Sequence, residues 1–146
     1  MHFEPCAGRL FIGRFNKCDD LCNALTDFCV KNNILAGTFF VIGAVTKACI
    51  GYYSQSERKY VNRIVRGDLE ITSCDGNISL KDSQIFVHAH INLSDSSGAV
   101  YGGHLMVGAE VFAAEFFIQE LTNVKLDRAF DAETGLALWN KEEGGK

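Results

Sequence analysis

The segment QIFVHAHINL, Gln84 to Leu93, constrains the fold more than any other, because its residues alternate in character without a break. Successive side chains of a strand point to opposite faces, so Ile85, Val87, Ala89, Ile91 and Leu93 share one face. That face is wholly apolar and predicts the core side of a sheet. The opposite face carries Phe86, His88, His90 and Asn92. Whatever the fold, it must hold two imidazoles side by side on the surface of a strand.

The rest of the chain supplies partners for that strand. Gly8 to Phe15 (GRLFIGRF) reads as a first strand. A helix follows, capped by Asp19 or Asp20, with Leu21, Leu25, Phe28 and Cys29 on one buried face and Asn32-Asn33 as its stop. Ile34 to Val45 (ILAGTFFVIGAV) is nearly all apolar, as expected of a strand covered on both faces, with Gly43 marking a bulge or a close backbone approach. Cys49 to Tyr53, Tyr60 to Val65 and Leu69 to Cys74 read as shorter strands. Asp75-Gly76-Asn77 reads as a hairpin turn leading into Ile78 to Leu80. Val107 to Glu120 is a second long strand. The stretch after Leu121, with Asp127, Arg128, Asp131 and Trp139, resists assignment, and Gly144-Gly145-Lys146 is expected to fray. One early helix among many strands predicts an α+β fold with a mixed, mostly antiparallel sheet.

Composition fits one domain over residues 1–146, with its core over about 8–130. A chain of 146 residues that is 47% hydrophobic, with 11 phenylalanines, can fill a core without staples. The net charge of −4 offers no general field for a polyanion, so direct DNA binding is not expected of the chain itself. The local basic density at Arg58-Lys59, Arg63 and Arg66 alternates with Tyr60, Val61, Ile64 and Val65, the pattern of a solvated strand face. Met1 to Pro5 is neither basic nor apolar enough for an export signal, and no run of 18 apolar residues is present to span a bilayer. A cytoplasmic location is therefore expected. Six cysteines then stay reduced and pack as small hydrophobes. No CxxC pair is present, although Cys18 and Cys22 stand four apart on the expected helix.

The chemistry concentrates between residues 88 and 104. Residues two apart on a strand lie about 6.5–7 Å apart along it, a spacing from which His88 and His90 can converge on one ion. Asp95 to Gly98 (DSSG) turns the chain, and Gly102-Gly103 permits a tight path that brings His104 beside the pair. Three neutral imidazoles with a fourth position open are the arrangement of a catalytic zinc site, whereas structural sites usually close with four ligands. Asp95, Glu110 and Glu115 are carboxylates that could complete or assist it, and Arg14 could hold an anion. Among these Glu115 is the candidate proton carrier, because Val111, Ala113 and Phe117 place it on an otherwise apolar face.

The string HAHINLSDSSGAVYGGHL resembles the signature of the plants-and-prokaryotes-conserved (PPC) domain: a histidine pair, a short aspartate- and glycine-containing loop, then GGH and an apolar residue. GRF near the start, IGAV at Ile42 to Val45 and GDLEITSCDGNIS at Gly67 to Ser79 agree in order. The resemblance implies a small α/β domain, usually a homotrimer, whose three histidines can hold zinc. It also implies a distant fold kinship with acetolactate decarboxylase. Stand-alone prokaryotic members of the family are often labelled as DNA-binding, because plant members couple the domain to AT-hooks. This chain has no Arg-Gly-Arg-Pro core of such a hook. Where plant members carry Gly-Arg-Phe-Glu-Ile it has Gly67, Asp68, Leu69, Glu70 and Ile71.

Three function classes follow. One is a zinc protein whose pocket binds or acts on a small anionic ligand, as a lyase or hydrolase would. Another is a DNA-associated protein working through a partner. The third is an assembly module whose metal fixes a loop.

Overall fold

The computed structural model describes residues 2–140, and the expected frayed tail at Gly144, Gly145 and Lys146 lies outside them. Eight elements follow in order: β1 (Cys6–Phe15), α1 (Leu21–Lys31), β2 (Gly37–Ser54), β3 (Lys59–Lys81), β4 (Gln84–Ser94), β5 (Val100–Thr122), β6 (Asp127–Asp131) and β7 (Leu136–Trp139). They form one mixed sheet with a single helix packed on it, the α+β class that the sequence predicts.

Helix α1 begins where its cap is. Asp20 has an extended backbone, and one of its carboxylate oxygens accepts from the Asn23 N–H at 3.0 Å. Leu21, Leu25 and Cys29, spaced at i, i+4 and i+8, are fully buried against the sheet. The helix stops at Asn32, and Asn33 takes the left-handed conformation at φ 52°. Cys18 precedes the helix at φ 70° and is exposed, so it does not share a helical face with Cys22. Packing accounts for Cys29 and Cys74, whose thiols burial pushes up to about 12, but not for exposed Cys6 and Cys18. No described helix is long and apolar enough to cross a membrane.

The strands are longer than their sequence patterns suggest. β2 pairs antiparallel with β3 and β5, and β4 pairs antiparallel with β3 and β5 as well. The circuit β2–β3–β4–β5 therefore closes on itself. β1 extends it beside β5, and β6 adds in parallel to the end of β3, with β7 outside it. The side chains of Val41, Val45, Leu69, Ile78, Ile91, Leu93, Val111 and Ile118 meet those of α1 in one core.

Three expectations from the sequence do not hold. Asp75-Gly76-Asn77 is no turn: it lies inside β3, where Gly76 pairs with Phe39 on one side and Ala89 on the other. The glycine is required because a Cβ there would collide with the His88 carbonyl. The three short strands foreseen between residues 49 and 74 are accordingly the end of β2 and the body of β3. Nor is the apolar run at the start of β2 covered on both faces, since Phe40 and Ile42 remain 49% and 46% exposed. Gly43, by contrast, does mark a bulge: the register slips between Val41 and Gly43, at φ 135°.

Candidate metal centre

Strand register builds the site. Val87, Ala89, Ile91 and Leu93 of β4 face the core, which sends His88 and His90 to the other side. His104 of β5 is the direct cross-strand partner of His90. Directly opposed residues share a face, with Cβ atoms about 4.5–5.5 Å apart. The third imidazole therefore arrives by pairing, not by the turn. Asp95 makes that turn, accepting from the N–H groups of Ser97 and Ala99 at 2.8 and 3.1 Å. Gly102 and Gly103 lie beyond it within β5, where a Cβ on Gly103 would stand 2.7 Å from the Gly51 carbonyl oxygen.

The three rings lie 5.0–5.7 Å apart between centroids. One nitrogen from each lies within 4.8 Å of the others. Tetrahedral zinc at about 2.0–2.1 Å from each nitrogen would set them about 3.3 Å apart, so the rings must draw together by up to about 1.5 Å to enclose the ion. Two further observations fit a metal. His104 Nδ1 is buried with no hydrogen-bond partner, a lone pair or N–H that folding leaves unsatisfied. Burial first, then the charge of Arg128 and the neighbouring imidazoles, pushes His88 down to about 4. Burial, His90 and Arg128 lower His104 in the same direction. These imidazoles are thus neutral at neutral pH, the form in which histidine binds metal.

The histidines line a cleft of ≈ 520 Å³, walled by Tyr53, Tyr60 and Phe86 and roofed by Leu136 to Leu138 of β7. Arg128 of β6 completes the wall, and the sequence offered no reason to choose it. It stands opposite Lys81 in the parallel pairing, and its Nη2 approaches His88 Nδ1 at 3.5 Å. A lone arginine in an unassigned stretch carries no pattern, and only the placement of β6 reveals it.

The carboxylates singled out from sequence are elsewhere. Asp95 is committed to its own turn and to the Tyr101 hydroxyl at 3.1 Å. Glu110 accepts from Thr46 Oγ1 at 2.9 Å and pairs with Lys47 at 3.5 Å, contacts that hold its pKa below the usual carboxylate range. Glu115 is exposed and stands between Arg14 of β1 and Ile42 of β2. It stands eleven positions along β5 from His104, roughly 36 Å of strand at about 3.3 Å per residue. Within one chain it does not reach the histidines. Arg14 pairs in register with Glu115 and is likewise distant from the cleft. The carboxylate that register sets opposite His90 is Asp75, which the turn reading had hidden.

Comparison with known proteins agrees with this geometry. A metal-containing protein from Archaeoglobus fulgidus is 42% identical, with a TM-score of 0.91 over 97% of this chain and 99% of that one. A Bacteroides thetaiotaomicron protein described as a candidate DNA-binding protein is 25% identical, with a TM-score of 0.83 over 93% of this chain and 96% of that one. A Staphylococcus aureus protein described as similar to alpha-acetolactate decarboxylase is 14% identical, with a TM-score of 0.56 over 84% of this chain and 55% of that one, and shows kinship of fold alone. No protein of curated function matches the chain in sequence. The model of the Plants and Prokaryotes Conserved domain matches residues 3–122, from β1 through the end of β5 and across all three histidines, and the chain belongs to that family.

Proposed function

We propose that His88, His90 and His104 hold one zinc ion, with a fourth position open to a small anionic ligand in the cleft. The observation that carries this reading is the convergence of three imidazoles, one nitrogen from each lying within 4.8 Å of the others, at a site where His104 Nδ1 is buried without a hydrogen-bond partner. Three nitrogen donors and no carboxylate in the cleft lining suit zinc better than magnesium or calcium, which prefer oxygen. The description of the Archaeoglobus protein as metal-containing supports the same reading. A bound zinc ion would supply a Lewis acid and lower the pKa of its water to about 7. The cleft walls would orient the ligand and exclude bulk water. His88→Ala and His90→Ala should each abolish zinc binding in calorimetry, since two imidazoles cannot enclose the ion. Undiminished binding by either variant would refute the assignment.

Turnover, as a zinc-dependent lyase or hydrolase, would also need a proton carrier within about 3 Å of the reacting group. Glu115 can serve only if a neighbouring subunit brings it across. A homotrimer, which we propose as the working form, offers that route. The sheet surface around Ile12, Phe40, Ile42 and Phe117 supports assembly, because Phe40 and Phe117 stack at 4.5 Å on a face that remains partly open. Light scattering should give three times the 16.1 kDa chain mass, and a monomer at micromolar concentration would contradict it.

The DNA-associated reading rests on the description of the Bacteroides protein. Lys59, Arg63 and Arg66 are exposed on β3, but the net charge is −4, and Arg58 is engaged with the Ala132 and Glu133 carbonyls. We expect no sequence-dependent complex tighter than about 10⁻⁷ M at physiological salt. The third reading, a structural metal in an assembly module, is distinguished by a cleft that binds no ligand at all.

A further inference from the structure

Arg128 lies in the wall of the histidine cleft, half-buried where Lys81 at the same cleft is exposed, and its surroundings differ from those of an ordinary structural arginine. Its Nε donates to Ser79 Oγ at 2.8 Å, Nη1 to the Ala137 carbonyl at 2.9 Å and Nη2 to Asn77 Oδ1 at 2.9 Å. The guanidinium also lies over the rings of Phe86 and Trp139, at 5.3 and 5.9 Å. All of these partners are neutral. None of the ion pairs among the described residues includes Arg128, and no Asp or Glu lines the cleft. Arg9 shows the contrast: its Nε and Nη2 both donate to the Glu120 carboxylate, each at 2.7 Å, and the charge is neutralised on the spot.

A guanidinium has five N–H donors, and three of Arg128's are held by Ser79, Ala137 and Asn77. A fourth, on Nη2, meets His88 Nδ1 only at the long distance of 3.5 Å, and the fifth, on Nη1, has no partner among the described residues. The charge is therefore half-buried, fixed on three sides and without a counter-ion beside the proposed metal. A desolvated charge in that state is unfavourable until an anion joins it. The unpartnered Nη1 N–H and the weakly held Nη2 N–H lie on one planar fork, which matches the two oxygens of a carboxylate. They do not match the many donors that a phosphate dianion collects at a helix N-terminus, and none of the lining residues comes from α1. Lys81 also lines the cleft, with its ammonium 5.6 Å from the Phe86 ring, where it can draw an anion inward. Apart from Gln55, the remaining side chains of the wall are apolar or aromatic, Tyr53, Tyr60, Phe86, Leu136 and Leu138 among them.

We infer that this cleft receives a small monocarboxylate with an apolar or aromatic body, its carboxylate held by the fork of Arg128 beside the three histidines. The inference deepens the metal-site reading, but the Arg128 contact is defined without the ion, so the two can fail separately. Trp139 is the single tryptophan of the chain and touches Arg128, so its emission reports the site.

The experiment titrates benzoate, neutral benzamide and inorganic phosphate into zinc-loaded and chelator-stripped protein, following Trp139 fluorescence and checking by calorimetry. Benzoate should bind zinc-loaded protein at least 10-fold more tightly than benzamide or phosphate. Arg128→Gln should weaken benzoate 10- to 100-fold while zinc stoichiometry is unchanged. Because Arg128→Gln can unfold β6 and β7, Arg128→Lys serves as the second variant: it keeps the charge, loses the fork, and should give an intermediate affinity. Equal affinity for benzoate and benzamide, tighter binding of phosphate, or undiminished benzoate binding by both variants overturns the inference. If zinc does not bind at all, the metal reading fails, and the stripped protein still decides this one through the same Arg128 dependence.

Discussion

The two ends of β5 carry similar invitations to chemistry and come to opposite ends. At the start, Gly103 and His104 face β4 and β2 at once, and the imidazole meets two others across a single pairing step. Toward the end, Glu110 and Glu115 sit among Val, Phe and Ala in the sequence, a setting that would be costly for an unpaired carboxylate if it were buried. It is not buried: Glu110 takes its own partners in Thr46 and Lys47, and Glu115 reaches solvent beside Arg14. A polar residue in an apolar strand thus says that its face is open or its partner near, and not that it serves a site. What makes the difference is which strands flank it.

Between those ends, Asp20 fixes β5 to the helix. Its second carboxylate oxygen accepts from the N–H groups of Gly108 and Ala109 at 2.6 and 3.0 Å. Asp20→Ala removes a helix cap, worth about 1 kcal/mol, and orphans two part-buried donors at about 1–3 kcal/mol. A loss of roughly 2–4 kcal/mol in denaturant unfolding is expected, with zinc stoichiometry intact. If zinc binding were lost with the cap, the two ends of β5 would not be independent.

Acidification comes next in size. His88 takes up its proton near pH 4 in the fold and near its ordinary 6.5 when unfolded. Between these values the unfolded chain binds more protons, so lowering the pH favours it. The contribution is complete above about pH 6.5 and declines as the pH falls toward 4. Zinc should be released over the lower part of that window, as protons compete for the imidazoles. A pH slope that is shallower in His88→Phe than in the parent chain would confirm the source, with the remainder left to His104, and identical slopes would exclude it.

The smallest effect belongs to the far end. Glu115→Gln should change stability by no more than about 0.5 kcal/mol and leave zinc affinity unaltered. A large fall in zinc affinity would show that a neighbouring subunit delivers this carboxylate to the histidines.

Much of this was legible in the residues, for definite reasons. The alternation in β4 identified the core face and the histidine face together, because period two has only one solution once one face is apolar. The Asp20 cap and the Asn33 stop were legible because each is a local hydrogen-bond or backbone requirement. Gly76 misled because a glycine flanked by Asp and Asn satisfies a turn and a tight strand crossing equally well. Only the neighbouring His88 carbonyl decides between them. Arg128 was illegible because its role depends on β6 pairing in parallel with the end of β3, Lys81 with Arg128, a contact between residues 47 apart in the chain.

The most direct test of the account is the metal content of untagged protein purified without added metal. Elemental analysis should find about one zinc per chain, removable by a strong chelator and restored by titration, with X-ray absorption showing nitrogen ligands at about 2.0–2.1 Å. Native protein that holds no metal and takes up none on titration would contradict the central claim.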